Sequence, residues 1–278
     1  MRPRLFYHPA RESGVDWAKN VFVRNAKLYQ LVLEGMWERG EEDAVAISSY
    51  LAQEGLKGCG ILDVPCGIGR LAIPLARLGF EVTGVDLSPH LVGVAKRKAE
   101  DFKLPPTRTK FLVGDMRELS SKFAPSSFDV VLNVFTSIGY GSEEDDLRFF
   151  RDARGVTKRG GSLLISGLRN RDYIARNPSQ NVYEESDKLL VLDRYAFDSS
   201  RSREKGVWRF YLKRGGERGE VLRFAGEFPV DIRVYSPYEL VSRLEAAGWS
   251  VKETFESFIT RGPSRADSPV YAIAAKAA

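Results

Sequence analysis

Apolar and polar positions change their period three times along this chain. Between residues 15 and 55 apolar side chains recur at helical spacing, in "VDWAKNVFVRNAKLYQLVLEGMW" and again in "DAVAISSYLAQ", which predicts helices. From Ile61 the texture shortens. "GILDV", "EVTGVD", "TKFLVGD", "FDVVLNVF" and "GGSLLISGL" read as strands, while "GRLAIPLARLG", "SPHLVGVAKRKAEDF" and "SEEDDLRFFRDARGV" read as helices. Ser88 is placed to cap one helix with Pro89 at its first position. Ser142 caps another, and the acids behind it suit the positive end of the helix dipole. Strands this apolar, alternating with helices, predict a doubly wound α/β domain whose parallel sheet is covered on both faces.

The period then becomes two. From Arg171 to Val234, "KLLVLDRYAF", "GVWRFYLKR" and "GEVLRFAGEFPVDIRVY" alternate as strands do, separated by "DSSRS" and "GGERG". These three runs predict an antiparallel patch inserted into the α/β domain. "SPYELVSRLEAAG" returns to helix, capped by Ser236, and "SVKETFESF" and "PVYAIAAKA" supply two last strands. The expected organisation is an N-terminal helical lid (1–58), an α/β core (59–170), an inserted substrate cap (171–234), and a C-terminal helix with two strands completing the core sheet (235–278).

Composition narrows the class. The chain has 278 residues, 43% of them hydrophobic, enough for a full core. The start "MRPRLFYHPARES" carries no apolar run of the signal-peptide kind, and no segment reaches the roughly 20 apolar residues of a membrane span. Two cysteines, Cys59 and Cys66, make no disulfide framework, and two histidines, His8 and His90, make no metal cluster. A reducing cytoplasm, no membrane and no metal are therefore expected. The net charge of +5 keeps nucleic acid in view as a partner, but basic residues are interleaved with acids in "KRKAED" and "RSREK", the texture of a solvated face.

The informative stretch is "ILDVPCGIGR", residues 61–70. A strand that ends on a carboxylate and breaks into a glycine turn before a helix is a nucleotide-site arrangement. Gly67 to Ala72 even satisfies the dinucleotide pattern G-x-G-x-x-A, so a nicotinamide enzyme must be weighed. Charge separates the two ligands. A dinucleotide puts an anionic pyrophosphate on this turn, where Asp63 would oppose it. S-adenosylmethionine (SAM) carries a sulfonium and an ammonium and no phosphate, so the same carboxylate attracts it. Asp86 ends the next strand, placed for a ribose diol, and Asp115 follows the third, placed for an adenine amino group, with Met116 beside it to cover the ring.

With "VTGVDLSP", "FLVGDMREL", "FDVVLNVFTSIGY" and "RGGSLLISGLRNRDY", residues 61–169 resemble the class I SAM-dependent methyltransferases. The resemblance implies a seven-stranded, mostly parallel Rossmann-like sheet with its last strand antiparallel. It implies that Asp63, Gly67 and Gly69 hold the methionine portion, Asp86 the ribose, and Asp115 with Met116 the adenine. Asn133 and Val134 would face the sulfonium, and Pro65 and Leu87 belong to the same set of contacts. Pro65-Cys66 departs from the small residue or glycine more usual there, and Cys66 reads as packing in the turn.

The acceptor is less legible. The insert plan is similar to glycine and sarcosine N-methyltransferases and to sugar N,N-dimethyltransferases, which implies a small-molecule amine or hydroxyl as methyl acceptor. By that likeness Arg169 would bind a substrate carboxylate; the competing readings are a surface arginine or a pair with Asp172. Tyr140 is the candidate to orient the nucleophile, or a lid on the pocket, and Tyr183 would begin the insert near the same mouth. Tyr29 and Trp37 in the lid are candidate cofactor contacts, or core residues. RNA or protein methylation, and SAM binding without catalysis, stay as alternatives, and a homodimer would follow if the insert exposes an apolar edge.

Overall fold

The computed structural model describes residues 16–135, 137–216 and 219–277, with backbone alone at 179–184, 216, 219 and 220. His8 lies outside the described residues. The described residues begin with a short helix α1 (Trp17–Lys19), a π-helical turn (Asn20–Arg24), α2 (Ala26–Gly35) and α3 (Trp37–Gln53). The helical stretch expected over 15–55 is thus broken twice. At Asn25 the side-chain amide donates to the Asn20 carbonyl at 2.9 Å, a local bond that competes with the helical ladder. At Met36 the backbone leaves helical values (φ −103°, ψ 17°).

The α/β part follows as β1 (Gly60–Asp63), α4 (Ala72–Arg77), β2 (Glu81–Asp86), α5 (Pro89–Asp101), β3 (Thr109–Val113), a 3-10 turn (Met116–Ser121), β4 (Phe128–Val134), α6 (Glu143–Val156) and β5 (Thr157–Arg169). Next come α7 (Arg171–Arg176) and the strands β6 (Ser179–Glu185), β7 (Leu189–Asp198), β8 (Arg203–Gly216) and β9 (Gly219–Arg233). The chain closes with α8 (Pro237–Ala246), β10 (Trp249–Phe255) and β11 (Val270–Ala277). The capping signals work as written: the Ser88 hydroxyl accepts from Leu91 N, and Ser142 and Ser236 form capping boxes with Asp145 and Glu239.

The large sheet has seven strands in the order β10-β11-β5-β4-β1-β2-β3. All pair in parallel except β11, which runs antiparallel to both neighbours. Side-chain alternation on its central strands feeds two separate cores. Ile61, Val130, Leu132 and Leu164 face α3, α4 and α5, while Leu62, Val131, Leu163 and Ile165 face α6 and α8. Each of these side chains is buried, worth about 1.5–3 kcal/mol relative to exposure. Because β1 pairs with β2 on one side and β4 on the other, the chain winds outward both ways from β1. Ligand crevices of open α/β sheets lie at such a reversal, beyond the carboxyl ends of the strands.

The second sheet has four strands, β6-β7-β8-β9, where three were expected. The extra strand, "SQNVYEE", is mostly polar and gives no alternation to read, yet all seven of its residues pair with β7, from Ser179 opposite Ala196 to Glu185 opposite Leu190. This sheet is tied to the core where it leaves and returns. Asn170 bridges to Tyr235, and Arg171 N donates to the Tyr235 carbonyl at 3.2 Å. Gly139 supports the return: its N–H donates to Asp146 Oδ1 at 3.0 Å and its carbonyl accepts from Arg233 N at 2.8 Å. Its φ is +89°, and a Cβ there would lie 2.0 Å from the Arg233 carbonyl oxygen, so only glycine fits. Around the joint Arg233 pairs with Glu143 (2.7 Å) and Glu239 (3.0 Å), and Arg243 also reaches Glu143.

Candidate active site

The carboxyl ends of β1, β2, β3 and β4 surround a cavity of about 400 Å³, roofed by the N-terminal helices through Trp17, Phe22, Tyr29 and Leu33. The turn after β1 forms its floor. Gly67 (φ +54°) lets α2 lie directly on the turn, since a Cβ there would come within 2.9 Å of Leu33 Cδ1. Gly40 does the same for α3, where a Cβ would meet the Arg70 carbonyl oxygen at 2.5 Å.

Three acids arrive from three strand ends. Asp63 is buried on the cavity wall and its Oδ2 has no hydrogen-bond partner among the described residues. Burial pushes its pKa up to about 7; the Arg70 guanidinium pulls it down, and the nearby Asp86 pushes it up again. An orphaned carboxylate oxygen in a water-poor wall favours a cation. Asp86 is fixed by two backbone amides, Gly67 N on Oδ2 at 2.9 Å and Ser88 N on Oδ1 at 2.8 Å. Each oxygen keeps a lone pair for a diol. Asp115 takes Arg117 Nη2 on Oδ2 at 2.7 Å and Nε on Oδ1 at 2.9 Å. Burial raises the Asp115 carboxyl, but Arg117 outweighs it and holds the group below the usual carboxylate range. Arg117 continues to Asp145 at 3.1 Å, so one guanidinium braces two sides of the cavity.

Pro65, Leu87, Met116, Val134 and Tyr29 line the same cavity. Three expected contacts do not. Trp37 stacks on Phe102, centroids 5.9 Å apart, with the Lys98 ammonium 4.6 Å from its ring on the outside of α5. Eight residues separate it from Tyr29, but the break at Met36 rotates α3 out of phase with α2. Asn133 is fully buried behind the wall, its amide donating to the Val64 carbonyl (2.8 Å) and Ser137 Oγ (2.7 Å). Gly69 shapes the turn at φ +77°, close under Ile73 and Phe111, instead of facing the cavity. Cys66 is buried in that turn, and burial pushes its thiol far up, with Asp86 and Asp63 adding to the shift, so it stays neutral.

Tyr29, Phe135 and Tyr140 also line a second cavity, of about 280 Å³, between the sheet's carboxyl edge and the inner face of β7, β8 and β9. They are the shared wall of the two chambers. Tyr140 stacks on Phe22 (5.3 Å, 9° between planes) and meets Trp17 edge-on (4.9 Å). Phe135 holds φ +72°, and Arg70 sits 5.0 Å over its ring. The sequence signal for Phe135 is its place as the bulky residue that closes the β4 run "FDVVLNVF".

Arg169 enters this second chamber but holds neither free solvent nor Asp172. Its Nη2 donates to Asp193 Oδ2 and its Nη1 to Glu204 Oε2, both at 2.8 Å, while Asp172 faces Arg171. The side chain of Tyr183 lies outside the described residues; its backbone is in β6, opposite Leu192. No group of three or more His, Cys, Asp or Glu that could hold a metal is found among the described residues. Nor is any helix there long and apolar enough to cross a membrane.

A seven-stranded sheet with one antiparallel strand, a glycine turn and three strand-end acids around an orphaned carboxylate oxygen define a SAM-binding methyltransferase fold. Comparison with known proteins agrees. Residues 61–161 match the family model described as a methyltransferase domain. A protein of Geobacillus sp. (strain WCH70) named as a methyltransferase is 29% identical over 83% of this chain and 90% of its own length. The magnesium-protoporphyrin O-methyltransferase of Synechocystis sp. is 33% identical over 61% of this chain and 76% of its own length. A solved SAM-dependent methyltransferase from Clostridium acetobutylicum superposes with a TM-score of 0.71 at 16% identity, covering 84% of this chain and 90% of that one. The chain belongs to the class I SAM-dependent methyltransferases.

Proposed function

We propose that this enzyme transfers the methyl group of SAM to an amine or hydroxyl of a small molecule in a reducing cytoplasm. The supporting observation is the second chamber: it abuts the cofactor cavity across Tyr29, Phe135 and Tyr140 and is roofed by a four-stranded sheet. A roofed space of about 280 Å³ suits a metabolite. The free thiols Cys59 and Cys66 suit the compartment.

Asp63 would meet the ammonium of the methionine portion, Asp86 the ribose diol, and Asp115 with Met116 the adenine. Bound there, SAM supplies a methyl group on a sulfonium, with a neutral thioether as its leaving group. The chain's own part is alignment. Val134 lines the cofactor cavity at the end of β4, and Phe135 and Tyr140 stand where the two chambers meet. Burial pushes the Tyr140 phenol well above its ordinary pKa, Arg169 opposes this, and Asp193 adds to it. The phenol therefore stays protonated at neutral pH and orients a heteroatom through a hydrogen bond instead of taking its proton. Holding donor and acceptor in line accounts for up to about 7–11 kcal/mol of barrier lowering in favourable cases.

Incubation with methyl-labelled SAM tests the reading. A small-metabolite extract and a preparation of total RNA plus protein are offered separately, then resolved by size. Label is expected in the small fraction; label on macromolecules alone, or none despite tight SAM binding, rejects it.

A further inference from the structure

The second chamber carries a charge pattern that its likeness to carboxylate-binding relatives does not anticipate. Asp193 and Glu204 sit on adjacent strands, with their side chains 8% and 2% exposed. Both lie in phase with apolar neighbours: Leu189, Val191 and Tyr195 share the inner face of β7 with Asp193, and Trp208 and Phe210 share that of β8 with Glu204. One guanidinium, Arg169, serves both. Two carboxyl groups thus share one cation deep in the chamber, and Asp193 Oδ1 has no hydrogen-bond partner among the described residues. Glu204 also faces the Tyr195 hydroxyl, and burial holds its carboxyl above the ordinary range against the pull of Arg169. Among the described residues, the other charged side chain of the lining is Arg39, exposed at the rim near Asp43.

Leaving a carboxylate oxygen unpaired in such a place is costly unless a ligand completes it. An incoming carboxylate would meet two acids and find the arginine already engaged on both. An incoming ammonium would complete the set, with the aromatic rings of Tyr173, Tyr195 and Trp208 around its body. We propose that the acceptor is an organic amine whose ammonium group is anchored by Asp193 Oδ1 and Glu204, with Arg169 holding the two carboxylates in position; to accept a methyl group that nitrogen would first pass one proton to the facing carboxylate, which frees its lone pair. This rests on the reading of the chain as a small-molecule methyltransferase and names the class of its acceptor.

The test is calorimetric and needs no turnover. The whole protein is titrated at pH 7 with three probes that share one body, 2-phenylethylamine, 2-phenylethanol and phenylacetate, with and without S-adenosylhomocysteine. The amine is expected to bind about tenfold or more tightly than the alcohol, the worth of one charge-assisted contact, and phenylacetate more weakly still. In Asp193→Asn the preference should fall to within about threefold, with S-adenosylhomocysteine affinity unchanged. Glu204→Gln gives an independent reading should Asp193→Asn lose its fold by circular dichroism. Equal binding of the three probes, no binding of the amine, or a preference that survives both substitutions overturns the proposal. A failure of the small-molecule reading is seen separately, as absence of label from SAM in the small fraction, and leaves this binding preference untouched.

Discussion

The two chambers are built by opposite means. The cofactor cavity takes its acids from the last residue of a strand or the first turn after it, so Asp63, Asp86 and Asp115 are set by where strands end. The second chamber takes its acids from inside paired strands, Asp193 midway along β7 and Glu204 beside the start of β8, and they meet Arg169 only because β7 and β8 pair in one register and dock on one edge of the core. The first arrangement is local and carried by the backbone. The second is a long-range agreement among side chains, and it should fail in a different way.

The largest effect is expected from Arg169→Ala, which leaves two buried carboxylates facing each other without their cation. Since Arg169 is itself a quarter exposed, the loss should lie near the low end for a broken buried pair, about 3 kcal/mol. Urea unfolding at pH 7 measures it, and an unchanged midpoint would mean that the arginine serves a ligand and not the fold. Asp86→Ala should lower SAM affinity about thirtyfold, or about 2 kcal/mol, through lost charge-assisted contacts. Titration with 2-phenylethylamine should be unaffected, and a parallel loss would show that the chambers are one cooperative unit.

A smaller effect follows from pH. The Asp63 pKa in the folded protein, about 7, lies above its unfolded value. The stability this group contributes is therefore fully present below about pH 4 and is lost as pH rises through 7. SAM binding runs the other way, because its ammonium needs the ionised form. Affinity should weaken several-fold between pH 8 and pH 6, and Asp63→Asn should flatten that slope; an unchanged slope in the variant would assign the titration elsewhere. The smallest effect is expected at Trp37→Ala. The Phe102 stack is lost, but SAM affinity measured by calorimetry should stay within about twofold, because the ring is outside the cavity.

The same contrast explains what could be read in advance. Strand ends are punctuated by glycine, proline and aspartate, so the turn at 63–69 and the acids at 86 and 115 stand out in a linear text. Of its two readings Trp37 takes the core one, packed beside α5, because the backbone break at Met36 turns α3 out of phase with Tyr29 on α2. The β6 strand escaped because its pairing is made by backbone groups and "SQNVYEE" has no apolar phase. Asp193 and Glu204 did leave a mark: each is an acid occupying an inward beat of an otherwise apolar alternation, as in "LLVLDRY". Such a residue is either a register error or a buried charge with a purpose, and the chain alone does not say which arginine, 24 or 35 residues away, will reach it.

The bridge between Asn170 and Tyr235 means that the chain steps off the core and steps back on at one place. Everything between is, in topological terms, a detour with adjacent ends. Such a detour can be lengthened, exchanged or redrawn while the order of the seven strands stays as it is. A lineage carrying this scaffold could therefore change what it methylates by inheritance of a different roof, keeping the donor apparatus intact, and a graft made at these two residues would follow the seam the fold already has.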